Sequence, residues 1–136
     1  MTRDGAADPL ESSFGHLERR VLEALWRRRG AASVRDLVPE FAPAAYTTLL
    51  TTLERLHRKG ILTRARQGRA YAYAPRWGRD ELTERLAART LGGWLRDPAA
   101  AGAILSCFID AVSDRDDRLL DELDRLIREK RRERAR

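Results

Sequence analysis

The stretch from Ala44 to Tyr73, AAYTTLLTTLERLHRKGILTRARQGRAYAY, leaves few folds open. Tyr46, Leu49, Leu53 and Leu56 recur at i, i+3, i+7 and i+10, which makes the apolar stripe of a helix. Thr47, Thr48, Thr51, Arg55 and Arg58 fall on the opposite side. Lys59-Gly60 follows, with a glycine suited to the left-handed position that ends a helix. Ile61 to Arg66 and Arg69 to Ala74 then alternate at period two about Gln67-Gly68, the pattern of a two-stranded hairpin. Ala70, Ala72 and Ala74 share one face of the second strand and predict close packing on helices.

The polar face of this helix is small and hydroxylated near its start and basic near its end. That arrangement suits entry into a DNA major groove. Short side chains let the helix approach base edges, and arginines further along reach phosphates. A charged outer face is usually only solvated, so the sign balance decides. From Arg55 to Arg79 there are eight Lys or Arg and no Asp or Glu, whereas a merely solvated surface mixes its signs. Arg55 and Arg58 on the helix, with Arg64, Arg66 and Arg69 on the hairpin, are therefore the expected contacts to a DNA backbone. Helix plus basic hairpin is the working end of a winged helix-turn-helix.

Elements before this stretch complete such a domain. A first helix runs from about His16 to Arg28, with Leu17, Val21, Leu22, Leu25 and Trp26 inward and Gly30 as its stop. Ser33 to Asp36 has the capping-box pattern and starts a second helix with Val34, Leu37, Val38 and Phe41 inward. Ala42-Pro43 breaks that helix and turns the chain into the third. A short strand near Ala31–Ser33 is a possible partner for the hairpin. Residues 1–13, with Gly5, Pro9 and no periodicity, read as a disordered leader.

After Pro75 the pattern changes to helices alone. One starts near Asp80 and carries Leu82, Leu86, Leu91, Trp94 and Leu95. Asp97-Pro98 opens the next, with Ile104, Leu105, Phe108, Ile109 and Val112. Ser113 to Asp116 repeats the capping-box pattern before a last helix with Leu119, Leu120, Leu123, Leu126 and Ile127. The expected organisation is a winged-helix DNA-binding domain over 14–78, a helical dimerisation domain over 79–130 and a frayed basic tail over 131–136.

Charge follows the same division. Residues 1–80 carry 15 basic and nine acidic side chains, and the remainder carries 12 of each, so the net charge of +6 belongs where a polyanion would dock. The helices after 79 need another task. Some fifty residues are few for an independent core. A core shared with a second copy answers this, through Leu86, Leu91, Trp94, Ile104, Leu105, Phe108, Ile109, Leu119, Leu123 and Leu126. Packing on the N-terminal domain of the same chain is the alternative.

Ala45-Tyr46-Thr47-Thr48-Leu49, Thr51, Leu53 to Leu56 and Arg58 to Leu62 together resemble the signature of the penicillinase-repressor (BlaI/MecI-type) family. Gly68-Arg69-Ala70-Tyr71, with Tyr73 and Pro75, resembles its wing, and the likeness covers roughly Phe14 to Arg128. The resemblance implies a dimeric repressor on a palindromic operator. By position it assigns base reading to Thr47, Thr48, Leu50 and Thr51, with Leu50 in place of the polar residue of some members. Repressors of the beta-lactam type are inactivated by proteolysis at a place matching Cys107-Phe108, where Cys107 replaces an asparagine. Copper-responsive relatives carry paired cysteines, and this chain has one.

Other classes fit less well. The chain has two histidines, His16 and His57, and no Gly-rich phosphate loop, so no catalytic set, metal site or cofactor is expected. Cys107 lies between Leu105 and Phe108 in an apolar pattern and reads as a buried structural thiol. A winged helix used only for protein contact conflicts with the acid-free basic stretch. A regulator answering to a small ligand or a protease remains open. No apolar run is long enough for a membrane span, and the N-terminus has no signal-peptide core, which predicts a cytoplasmic protein.

Overall fold

The computed structural model describes residues 8–136. Residues 1–7 of the expected leader lie outside them, and from Asp8 on the expectation of disorder fails. A short helix, α1 (Pro9–Ser13), forms there. The Asp8 carboxylate accepts the Leu10 N–H at 3.0 Å, and Leu10 and Phe14 are buried in the core. Two apolar residues in a polar segment are too few to show a period.

The next three helices form the core. α2 (His16–Arg27) buries Val21, Leu22, Ala24 and Leu25. α3 (Val34–Leu37) continues into a 3₁₀ turn, Val38–Glu40, and α4 (Tyr46–Arg58) buries Leu49, Thr52, Leu53 and Leu56. Replacing one of these wholly buried leucines by alanine should cost about 2–5 kcal/mol. Tyr46 departs from the expected stripe. It is the first residue of α4, beyond the reach of the core, and stands 49% exposed.

Ser33 caps α3 as its sequence pattern predicts. Its hydroxyl accepts the Asp36 N–H at 3.2 Å, and the Asp36 carboxylate accepts the Ser33 N–H at 2.9 Å. The Ser33 N–H, then the Ser33 hydroxyl, hold the Asp36 carboxyl below its usual range. A depressed carboxylate contributes stability above its unfolded pKa and loses it as pH falls through the folded value. Ser33→Ala removes the hydroxyl that accepts the Asp36 N–H and should cost about 1 kcal/mol through the lost cap. Thermal melts of the parent and of Asp36→Asn, which lacks the carboxylate, should instead converge as pH drops below the carboxylate range.

The wing is an antiparallel pair, β1 (Leu62–Gln67) and β2 (Ala70–Pro75). Gln67 pairs with Ala70, so the two turn residues are Gly68 and Arg69, one position later than the sequence suggests. Gly68 takes a φ of +65°, which places the positive-φ residue first in the turn, as in a type II′ hairpin. Gly60, at +79°, makes the turn that leads out of α4. The alanine face is not alone in burial on β2: Tyr73, on the other face, is 1% exposed. Its backbone exchanges two hydrogen bonds with Ala32, at 2.8 and 2.9 Å, which realises the short third strand as a single bridge.

The chain divides into two compact units, Met1–Ala88 and Arg89–Arg136. The division falls inside α5 (Arg79–Trp94), ten residues later than expected. Leu82 is buried in the winged-helix core and Leu86 packs against it. Leu86 is thus partly engaged by the first unit of its own chain.

In the second unit, α6 (Pro98–Arg115) and α7 (Asp117–Ala135) pack on each other. Asp97 caps α6 through the Ala99 N–H at 2.9 Å. The second capping box does not form: Ser113 to Arg115 stay helical, and Asp116 itself caps α7 through the Arg118 N–H at 2.9 Å. Residues 131–135 continue α7 rather than fray. Neither helix has a buried residue. Leu91, Trp94, Leu105, Phe108, Ile109, Leu119 and Leu126 are exposed, Trp94 by 57% and Leu105 by 52%. Ile104 and Leu123 are half-buried. Cys107 is exposed as well, against the reading of a buried thiol, because the apolar side of α6 has no cover in the single chain.

Candidate nucleic-acid interface

α4 presents Thr47, Thr48, Thr51, Arg55 and Arg58 to solvent, with Leu50 half-buried beside them. The inward leucines fix this orientation, since the outward face of a helix follows from which stripe is packed. The Thr51 hydroxyl donates to the Thr47 carbonyl at 2.9 Å, and Thr52 donates to the Thr48 carbonyl at 2.8 Å. Thr51 thus spends its donor inside the helix. What it retains for a neighbour is a methyl group and the acceptor capacity of its oxygen.

The acid-free run in the sequence is not acid-free in space. Lys59 reaches Glu18 of α2 at 2.9 Å, and Arg79 pairs with Glu23 of α2. Glu18 is buried and also accepts the Gly15 N–H at 3.2 Å, so Lys59 serves the fold. Among the described residues Arg55, Arg58, Arg64, Arg66 and Arg69 make no ion pair. Arg64 and Arg66 lie over the Tyr71 ring at 4.1 and 5.9 Å, which stiffens the two guanidinium groups on the wing. Arg69 stands at the tip of the hairpin.

Two grooves flank α4. One, of about 470 Å³, runs along its threonine side and is closed by the start of α2, at His16, and by Arg55. The other, of about 770 Å³, lies between α3, the start of α4 and the wing. Tyr46, Tyr71 and Arg35 line the second groove, and none of them was picked out as a site residue from sequence. Tyr46 is hidden by its fit to the helical stripe, and Arg35 by its place beside Asp36 in a short capping-box segment. Exposed His16 and half-buried His57 stand on different helices, α2 and α4, and among the described residues no three metal-ligating side chains gather.

Three helices around a leucine core, a strand bridge and a two-stranded wing beside an outward α4 define a winged helix-turn-helix, here followed by a helical segment. Residues 14–129 match the penicillinase repressor family. The chain is also 36% identical over 118 residues to the transcriptional regulator BlaI of Mycobacterium tuberculosis, in two strains, with 85% of this chain and 80% of each relative covered. The chain belongs to the penicillinase-repressor family and is a transcriptional regulator, not an enzyme. Among the described residues no helix is long and apolar enough to cross a membrane.

Proposed function

We propose that the protein is a cytoplasmic, homodimeric repressor that binds a palindromic operator, with α4 in the major groove and the wing along the backbone. Thr47, Thr48, Leu50 and Thr51 face base edges. Arg55, Arg58, Arg64, Arg66 and Arg69 contact phosphates. The observation that carries this reading is the set of five arginines, unpaired with acids among the described residues, around an outward threonine face. Such a surface holds a polyanion in place and leaves short side chains free to discriminate bases. The second unit supplies the reason for two copies: helices without one buried residue, bearing exposed tryptophan, phenylalanine and leucine, gain a core when matched with their like.

Two substitutions separate reading from holding. Thr51→Ala should cost about 1–3 kcal/mol on the operator and little on random DNA, because the lost methyl and acceptor touch a base. Arg69→Ala should weaken both DNAs alike and lower the log–log salt slope by about one. Binding titrations of both variants at two salt concentrations measure these effects. Should Thr51→Ala leave the operator-to-random ratio unchanged, the hydrogen bond to Thr47 is the whole role of Thr51. Binding to neither DNA would favour a protein-contact module.

A further inference from the structure

We infer that the groove between α3, α4 and the wing seats one strand of the DNA backbone, with Arg35 and Tyr46 as two further phosphate contacts. This rests on the reading of α4 as the base-facing helix.

The groove is bounded by the elements that reading places on DNA. Leu50 of α4 lines it on one side, and Gln67 and Arg69 of the wing tip line it on the other. A duplex whose major groove holds α4 carries a sugar–phosphate strand along each side of that helix. The strand that meets the wing must pass over this groove.

The lining has the chemistry for phosphate oxygens. Arg35 is exposed on α3 and makes no ion pair among the described residues. Asp36 beside it is the only carboxylate lining the groove, and its oxygen is engaged at 2.9 Å by the Ser33 N–H. Two guanidinium groups, Arg35 and Arg69, therefore outweigh one carboxylate. Tyr46 brings a phenolic hydroxyl on a half-exposed ring at the first residue of α4. A half-exposed aromatic ring at this position contributes little to the core, whereas its O–H is a donor well placed for a backbone oxygen.

The test uses the full chain, an operator selected from fragments of the source genome, and random DNA of equal length. Arg35→Ala should weaken both DNAs about fivefold near 0.15 M salt and lower the salt slope by about one. Tyr46→Phe should weaken both by a similar factor with the slope intact, because only a neutral donor is lost. Methylphosphonate linkages placed one at a time along the operator should reveal a position that weakens the parent protein but not Arg35→Ala. Arg35 has no partner to lose, so the variant's melting temperature should match the parent's, and Arg35→Gln gives a second reading of the slope. Unchanged slopes for both Arg35 variants, with Arg58→Ala lowering the slope, would overturn the groove and leave the DNA-binding role of α4 standing. Unchanged slopes for all three would overturn both. Base preference altered by Tyr46→Phe would make Tyr46 a base reader and remove it from the backbone seat.

Discussion

Residues 1–88 alone should fold, stay monomeric at micromolar concentration, and bind an operator about 10²–10⁴-fold more weakly than the full chain. The cut is set by the packing. Leu82 is buried in the first unit and Leu86 lies against it, so both must be kept. A cut after 78 would remove a fully buried leucine and should cost the domain about 2–5 kcal/mol, confusing lost stability with lost dimerisation. The large loss of affinity has a simple origin. In a dimer the second domain is held near its half-site at high effective concentration, and the separated domain meets it only at bulk concentration. Sedimentation of both chains and titration against one operator give the two readouts. A full-length protein that sediments as a monomer and binds no more tightly than residues 1–88 would end the dimer reading.

Legibility in the sequence followed periodicity. Leu49, Leu53 and Leu56 are each wholly buried, as their spacing requires, and the helix they define carries Thr47, Thr48 and Thr51 outward. Local chemistry was legible as well: Ser33 and Asp36 form the capping box, Asp97 caps α6, and Gly60 takes positive φ. Failures came where a residue's fate is set by something distant in the chain. Tyr46 fits the stripe by number but sits one turn before the core begins. Lys59 and Arg79 belong to a run without acids, yet α2 brings Glu18 and Glu23 to them. A one-dimensional charge count has no access to that pairing. Leu10 and Phe14 belong to a segment too short for a period and are still buried.

The second unit shows the opposite limit. Its apolar positions were legible, and so were the starts of α5 and α6 within a residue or two. What covers Leu105, Phe108 and Ile109 was not, since a stripe looks the same whether it meets its own chain or another. The exposed state of Cys107 follows from that ambiguity. The last capping box failed for a related reason. Ser113 and Asp116 satisfy the pattern, but nothing breaks α6 before Arg115, and the acid nearest the bend takes the cap.

The operator itself should carry the symmetry of the dimer. Two copies related by a two-fold axis place two α4 helices in major grooves on one side of the duplex, so half-site centres should lie about 10 base pairs apart or a multiple of that. Inserting about 5 base pairs between the half-sites turns one of them by half a helical turn to the far face of the DNA. One domain can then read its half-site while the other meets only backbone or solvent. Affinity should fall close to that of residues 1–88, because the benefit of linkage vanishes when geometry forbids joint engagement. Inserting about 10 base pairs restores the face but lengthens the span, and recovery should be partial or absent according to how far the linked units reach. Footprinting on the three operators distinguishes the cases by which half-sites are protected. Undiminished protection of both half-sites after the 5-base-pair insertion would show that the two domains read DNA independently, and the two-fold arrangement would have to be abandoned. Loss of one footprint with the other retained is the expected result.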